Sequence, residues 1–174
     1  MQLAESKTRD SFPLSGKKIL KKTLLGVLGW AVLALVSLAG SYAFLGSANL
    51  CQWWPALALG ILALFLLAGW LTYQFQRWYF AVYFYDLTDD YVVIRKGPVT
   101  PHEITIPYER IQDVYVDQDL LDRFLGLYDV HLSSATASSG LEAHIDGVER
   151  ASMEGLRGIL LETVKRRISK ARQG

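Results

Sequence analysis

From Thr23 to Gln76 the chain carries no Asp, Glu, Lys or Arg, although these types make up 20% of the whole sequence. A soluble domain needs charge over all of its surface, so an uncharged run of this length points to lipid. Within it lie two apolar segments, about 23–45 ("TLLGVLGWAVLALVSLAGSYAFL") and about 54–73 ("WPALALGILALFLLAGWLTY"), joined by the uncharged turn "GSANLCQW". Each is long enough to cross a hydrocarbon core of about 30 Å as a helix, and a helix satisfies its backbone within the segment, as lipid demands. The first segment is longer than a signal-peptide core and a second follows at once, so it reads as a span rather than a cleaved leader.

Charge orients this hairpin. A basic tail, residues 1–22, carries Lys7, Arg9, Lys17, Lys18, Lys21 and Lys22 against Glu5 and Asp10; the turn has no charge, and Arg77 follows the second span. The positive-inside rule then places both termini in the cytoplasm and the chain in the inner membrane as a multi-pass protein. Trp53 and Trp54 fall at the outer interface; Trp70, Tyr73, Trp78 and Tyr79 fall at the inner one, as interfacial aromatics do. Neither span contains an ionisable group of the kind an ion path or proton relay requires. Small residues four apart, Ser37 with Ser41, Ala39 with Ala43 and Ala56 with Gly60, let helix backbones approach closely. Their plain reading is packing of the hairpin on itself, and the sharper one is a surface for another membrane protein. The lone cysteine, Cys51, excludes an internal disulfide, and no Cys/His spacing suggests a zinc site.

After the second span the periodicity changes. "YFAVYFYDLTDDYVVIRKG" (Tyr79 onward) reads as two strands around a turn at Thr88-Asp89-Asp90, ending at Gly97-Pro98. "HEITIPY" and "RIQDVYVDQ" read as a third and fourth strand, "DLLDRFLGL" as a short helical turn closed by Gly126, and "YDVHLSSA" and "GLEAHIDGV" as a fifth and sixth strand. Short Val-, Ile-, Tyr- and Thr-rich runs between turn residues mark a small antiparallel sheet or barrel. The final helix, about 152–171, sets Met153, Leu156, Leu160, Val164 and Ile168 on one face. Ser152 is its expected N-cap, and Lys165, Arg166, Arg167 and Lys170 suit its C-terminal end. The expected fold is therefore a membrane α-helical hairpin (residues 23–76) followed by a cytoplasmic α+β domain (residues 77–174), an antiparallel β-barrel or sheet capped by a C-terminal helix.

Several motifs in this domain carry a resemblance: Leu87-Thr88-Asp89, Arg95-Lys96-Gly97, Ile106-Pro107, Arg110-Ile111-Gln112-Asp113-Val114, Gln118, and Phe124 with Gly126-Leu127 and Asp129-Val130. Together they resemble the bacterial pleckstrin-homology-like (membrane-flanked) domain family over about residues 79–148. Leu125, between Phe124 and Gly126, departs from the family pattern. The two-span layout resembles the family's short members. The resemblance implies a pleckstrin-homology-like barrel closed by a helix, with no catalytic residues or ligand attached to it. It also implies a membrane complex with a longer, multi-copy relative. Thr88, Asp89, Gly97, Pro107, Arg110, Gln112, Asp113, Gly126 and Asp129 then read as structural motif residues, with Arg110, Gln112 and Asp113 fixing a strand and its turn by hydrogen bonds.

The acids of this region decide little alone. In a strand, residues two apart share a face, so Asp113, Tyr115, Asp117 and Asp119 line a wet face while Val114 and Val116 turn to the core; Asp122 lies in the helical turn. Solvated carboxylates are the plain reading, since catalytic acids need a pocket and displaced pKa values. His102, His131 and His144 fall on three different strands and read as partly exposed strand residues rather than metal ligands. There is no Ser-His-Asp order and no phosphate loop; "SSATASSG" (133–140) reads as a flexible hairpin loop.

Charge separates the functions better. From Arg77 to Glu149 thirteen acids face five bases, whereas from Arg150 onward seven bases face two acids. An anionic headgroup pocket needs clustered Arg and Lys, which this acidic body does not offer. The expected function is a non-enzymatic membrane protein whose domain is a protein-interaction or scaffold module in a homo- or hetero-oligomeric complex, needing no cofactor and no nucleic acid, with Asp117 and Asp119 as a partner face. The alternative is a lipid-binding or envelope-stress factor that meets anionic lipid through Lys17, Lys18, Lys21, Lys22, Lys165, Arg166, Arg167 and Lys170.

Overall fold

A computed structural model describes residues 6–47, 50–134 and 143–171. The chain forms two compact units. One is Ile19–Arg77; the other joins the residues up to Lys18 to those from Trp78 onward.

The first unit is built on two helices, α2 (Lys17–Ser47) and α3 (Trp54–Val82), where α1 is a short N-terminal helix, Lys7–Ser11. Both long helices are apolar enough to cross a membrane. They overrun the expected spans: α2 starts at Lys17 rather than near Thr23, and α3 continues to Val82 rather than ending at Tyr73. Neither overrun contains a Pro or Gly that would stop it. At 1.5 Å per residue the 31 residues of α2 reach about 46 Å, enough to cross the hydrocarbon layer and its interfaces. The seam between the helices is polar at one point. The Trp30 Nε1–H donates to Thr72 Oγ1 at 3.1 Å, and Thr72 Oγ1 donates back to Ala68 O at 2.7 Å. Gly26 makes room there, because a Cβ on it would stand 2.7 Å from the Thr72 methyl. Two of the three expected small-residue pairs lie off this seam, while Ser37 of the third lines the groove between the helices. Ala39, Ala43, Ala56 and Gly60 are exposed, and Gly60 has no atom within 4 Å of where its Cβ would be. Gly26 meets Thr72 across the seam, and Gly69 meets Val27.

In the second unit, β1 (Phe84–Leu87), β2 (Tyr91–Lys96) and β3 (His102–Pro107) form one antiparallel sheet. A second contains β4 (Ile111–Asp117), β5 (Leu127–Ser134) and β6 (Ala143–Glu149). The short helix α4 (Leu120–Leu125) links β4 to β5, and α5 (Arg150–Ala171) follows β6 directly. One apolar core unites them. Tyr85, Val92, Ile94 and Ile106 come from the first sheet, Val130, Leu132, Ile145 and Val148 from the second, and Leu156 and Leu160 from α5. The expected helix face is thus the buried one, with Met153 and Val164 packed beside it. Two local expectations change. Tyr79–Val82 is helical, so the first strand starts only at Phe84. Helix α5 begins at Arg150, so Ser152 lies inside it and is not its cap.

The larger change concerns the N-terminal tail. Residues 6–18 belong to the domain rather than forming a separate basic arm. Ser6 caps α1 by accepting from Arg9 N at 2.9 Å and donates to Tyr85 O and Asp86 Oδ1, both at 2.8 Å. Leu87 N donates to Thr8 Oγ1 at 3.2 Å, and the Tyr85 hydroxyl donates to Phe12 O. The Phe12 ring lies over Gly155, where a Cβ would be 2.4 Å from Cε1. Leu14 bridges to Val148, and Ser15 N donates to Gly147 O at 2.8 Å. The segment is a strap across both sheets and the start of α5.

Candidate functional site

The strap ends in a buried ion pair. Lys18, 6% exposed, donates through Nζ to both carboxylate oxygens of Asp129, at 2.7 and 2.8 Å. Asp129 Oδ1 also accepts from Gly147 N at 2.7 Å. Asp129 sits where the pairing of β5 with β6 slips, between Tyr128 and Val130. Gly147 has φ +74°, and a Cβ there would lie 2.8–2.9 Å from the aliphatic stem of Lys18. Both the backbone conformation and the close approach therefore call for glycine. Beside the clasp, Glu149 accepts from Ser15 Oγ at 2.8 Å and pairs with Lys17 at 3.3 Å, and these two partners hold its carboxyl below the usual range.

A second polar row crosses the same sheet. Asp117 Oδ1 lies 3.1 Å from His131 Nε2, and the His131 ring stacks on Tyr115 at 4.8 Å and on His144 at 5.3 Å. His131 and His144 are register partners on β5 and β6. His144 Nε2 is 3.0 Å from Asp146 Oδ1, and Lys96 reaches Asp146 Oδ2 at 3.7 Å. Burial raises the Asp146 pKa, but the His144 hydrogen bond and the charges of Lys96, His144 and Lys18 outweigh it and bring it down to about 2. Beneath the row, burial and then the Asp146 charge push the Tyr83 hydroxyl well up, so it stays protonated and donates to His144 O at 2.9 Å. Two of the three histidines thus meet, while His102 stands exposed on β3. Strand register brings them together, and sequence alone does not give register. Among the described residues, no group of three or more His, Cys, Asp or Glu is placed to hold a metal ion.

The motif residues divide by role. Thr88 closes the β1–β2 turn, its Oγ1 donating to Tyr91 O at 2.7 Å and accepting from Tyr91 N at 3.1 Å. Asp89 accepts from Arg167 through its carbonyl, and Asp90 pairs with Arg167 at 2.7 Å, so the end of α5 is pinned to this turn. Burial, with the Asp86 charge, pushes Tyr108 up to about 12, and its hydroxyl donates to Thr88 O at 3.0 Å. Gly97, at φ +93°, lies where a Cβ would be 2.5 Å from Thr100 O. Pro107 ends β3 opposite Tyr91, and Gly126, at φ +69°, caps α4. Arg110, Gln112 and Asp113 are exposed where the β4–β5 pairing slips, between Ile111 and Asp113. The hydrogen bond expected of that cluster is made by Gln118 instead, whose amide donates to Leu127 O at 2.8 Å.

The acids expected on one face also separate. Asp113 and Asp117 are exposed on β4 with Tyr115, while Val114 is buried and Val116 half-buried. Asp119 lies beyond the strand as the N-cap of α4, accepting from Asp122 N at 2.8 Å. Asp122 is 1% exposed rather than solvated. On the outer side of α4, Leu120 and Phe124 are 83% and 87% exposed.

The basic residues expected near lipid divide in the same way. Lys17, Lys18 and Arg167 are committed to ion pairs within the domain. Lys21 is buried, whereas Lys22, Lys165 and Arg166 are exposed. The Lys170 side chain and most of the 133–140 loop lie outside the described residues.

A family model described as a bacterial PH domain matches residues 23–164, covering both apolar helices and most of the domain. No curated protein and no solved structure matches the chain.

Proposed function

The chain belongs to the bacterial PH domain family, and on that premise we propose that it is a non-enzymatic inner-membrane protein whose cytoplasmic domain is a protein-interaction module in a membrane complex. One observation carries this reading. Three bases of the strap and barrel are drawn into ion pairs, Lys18 with Asp129, Lys96 with Asp146 and Arg95 with Glu103, while the exposed acids Glu109, Asp113, Asp117 and Asp119 outnumber the exposed Arg110 and Arg123 beside them. Such a surface repels phosphate headgroups and suits a basic protein partner. The basic N-terminal flank and the uncharged turn between the helices support a topology with both termini cytoplasmic.

The test is co-purification. The full chain, tagged at its C-terminus and extracted in mild detergent, is expected to carry a stoichiometric protein partner. That partner should be lost in Asp117→Lys with Asp119→Asn, the Asn retaining the helix cap. Enriched anionic lipid without a protein partner would instead support the lipid-binding alternative, which then rests on Lys22, Lys165 and Arg166.

A further inference from the structure

The two sheets end in four outer strands, β1 and β3 in the first, β4 and β6 in the second. The strap closes two of these edges. Ser6 and Thr8 bond the β1 backbone at Tyr85 and Leu87, and Leu14 and Ser15 meet β6 at Val148 and Gly147. Among the described residues, neither β3 nor β4 has a second neighbouring strand. An outer strand turns alternate N–H and C=O groups out of its sheet, a template on which one more strand can pair. The two remaining edges differ in charge. On β3 the acid Glu103 is taken by Arg95. On β4 the exposed Asp113, Tyr115 and Asp117 share the outer face, and the strand itself holds no Lys or Arg. The exposed Arg110 precedes it and Arg123 follows on α4. Tyr115, 37% exposed, is also the β4 end of a row of stacked rings that runs from His144 on β6 through His131 on β5. The next place in that row, beyond the edge, lies between two carboxylates.

We propose that β4 receives an extended basic segment of a different protein as an added strand, with an arginine stacked on Tyr115 and basic side chains opposite Asp113 and Asp117. This rests on the reading of the domain as an interaction module and states how it holds its partner. Backbone bonds along the edge supply affinity, and the side chains on the outer face supply selection. A guanidinium both stacks on an aromatic ring and pairs with carboxylates, and opposite charges facing each other across a strand pair attract. The same rule disfavours a second copy as the occupant. Pairing β4 with β4 about Tyr115 sets Asp113 against Asp117, and β3 carries neither Lys nor Arg. The one strand with bases, β2 with Arg95 and Lys96, is already paired on both sides. An acidic face also repels an anionic lipid surface.

Peptide binding to the full chain in a neutral detergent tests this. The probe is a short fluorescent peptide alternating Arg with Val, read by polarisation beside a Glu–Val peptide and an Arg–Val peptide with methylated backbone amides. The plain Arg–Val peptide is expected to bind, and both other peptides several-fold more weakly. Asp113→Asn combined with Asp117→Asn should weaken it several-fold while leaving the thermal midpoint in place, and Tyr115→Thr, which keeps a residue suited to a strand, should weaken it as well. Equal binding of the methylated peptide would overturn strand addition and leave charge alone as the contact. Binding indifferent to Asp113, Tyr115 and Asp117 would overturn the site. In a Cys51→Ser background in phosphatidylcholine vesicles, a dye on Gln112→Cys that enters an apolar environment only when anionic lipid is added would overturn the proposal in favour of a lipid surface. If no peptide binds but a protein partner still co-purifies with the chain, strand addition fails while the interaction-module reading survives. If nothing co-purifies either, both fail.

Discussion

Asp129 and Asp117 are both acids of the second sheet, one on β5 and one on β4, and they are register partners. Their duties differ. Asp129 is spent inside the molecule, on the Lys18 ammonium and the Gly147 amide. Asp117 stands largely in water, 3.1 Å from the His131 ring. A carboxylate that holds the fold together and one that faces water look alike in sequence; only what folds over them differs. The basic segments repeat the lesson, since Lys17 and Lys18 are held by the domain while Lys165 and Arg166 remain outside.

The sharpest way to break this comparison is to remove the cation inside. Lys18→Ala leaves the Asp129 carboxylate without its counter-charge and strips the stem that covers Gly147. Breaking a buried pair from one side costs about 3–5 kcal/mol, so the domain's unfolding midpoint should fall sharply while the helix content of the hairpin persists in circular dichroism. Gly147→Ala forces a Cβ into a left-handed backbone and against the Lys18 stem, at a cost of about 1–3 kcal/mol; a denaturant series would read it.

Acid should come next in size. The Asp146 pKa is lowered from an ordinary 3.8 to about 2 by partners that overcome its burial. A lowered carboxyl stabilises the fold above its unfolded pKa and loses that contribution as pH falls through the folded one. About 2 kcal/mol should therefore disappear between about pH 4 and pH 2, and an Asp146→Asn variant should show a flatter profile over that window. Smallest of all, Asp113→Lys or Asp117→Lys should move stability by no more than about 0.5 kcal/mol, because both side chains are exposed.

The sequence shows some of these layers and hides others for physical reasons. Absence of charge marks the two long helices, because lipid excludes charge all along a span. Alternation marks β2 to β6, and 3.6-residue spacing marks the buried face of α5, because each needs only local pattern. The extension of α3 through Tyr79–Val82 is hidden because aromatic and β-branched residues suit a strand as well as a helix end. The strap is hidden for a stronger reason. Its partners Tyr85, Asp129 and Glu149 lie 79 to 134 residues away, and a short polar segment with six cations among residues 1–22 looks like a lipid-facing tail until the acids it meets are known. The motif Asp129-Val130 was visible, but not the lysine that makes it matter.

The comparison comes down to one measurement, thermal unfolding of the full chain in detergent with Asp129→Asn beside Asp117→Lys. Asp129→Asn, which leaves Lys18 buried beside a neutral amide, is expected to lower the domain's midpoint by on the order of 10 °C. Asp117→Lys should stay within about 2 °C of the parent. Equal losses in the two variants, or a larger loss in Asp117→Lys, would contradict the assignment of one acid to the fold and the other to a partner.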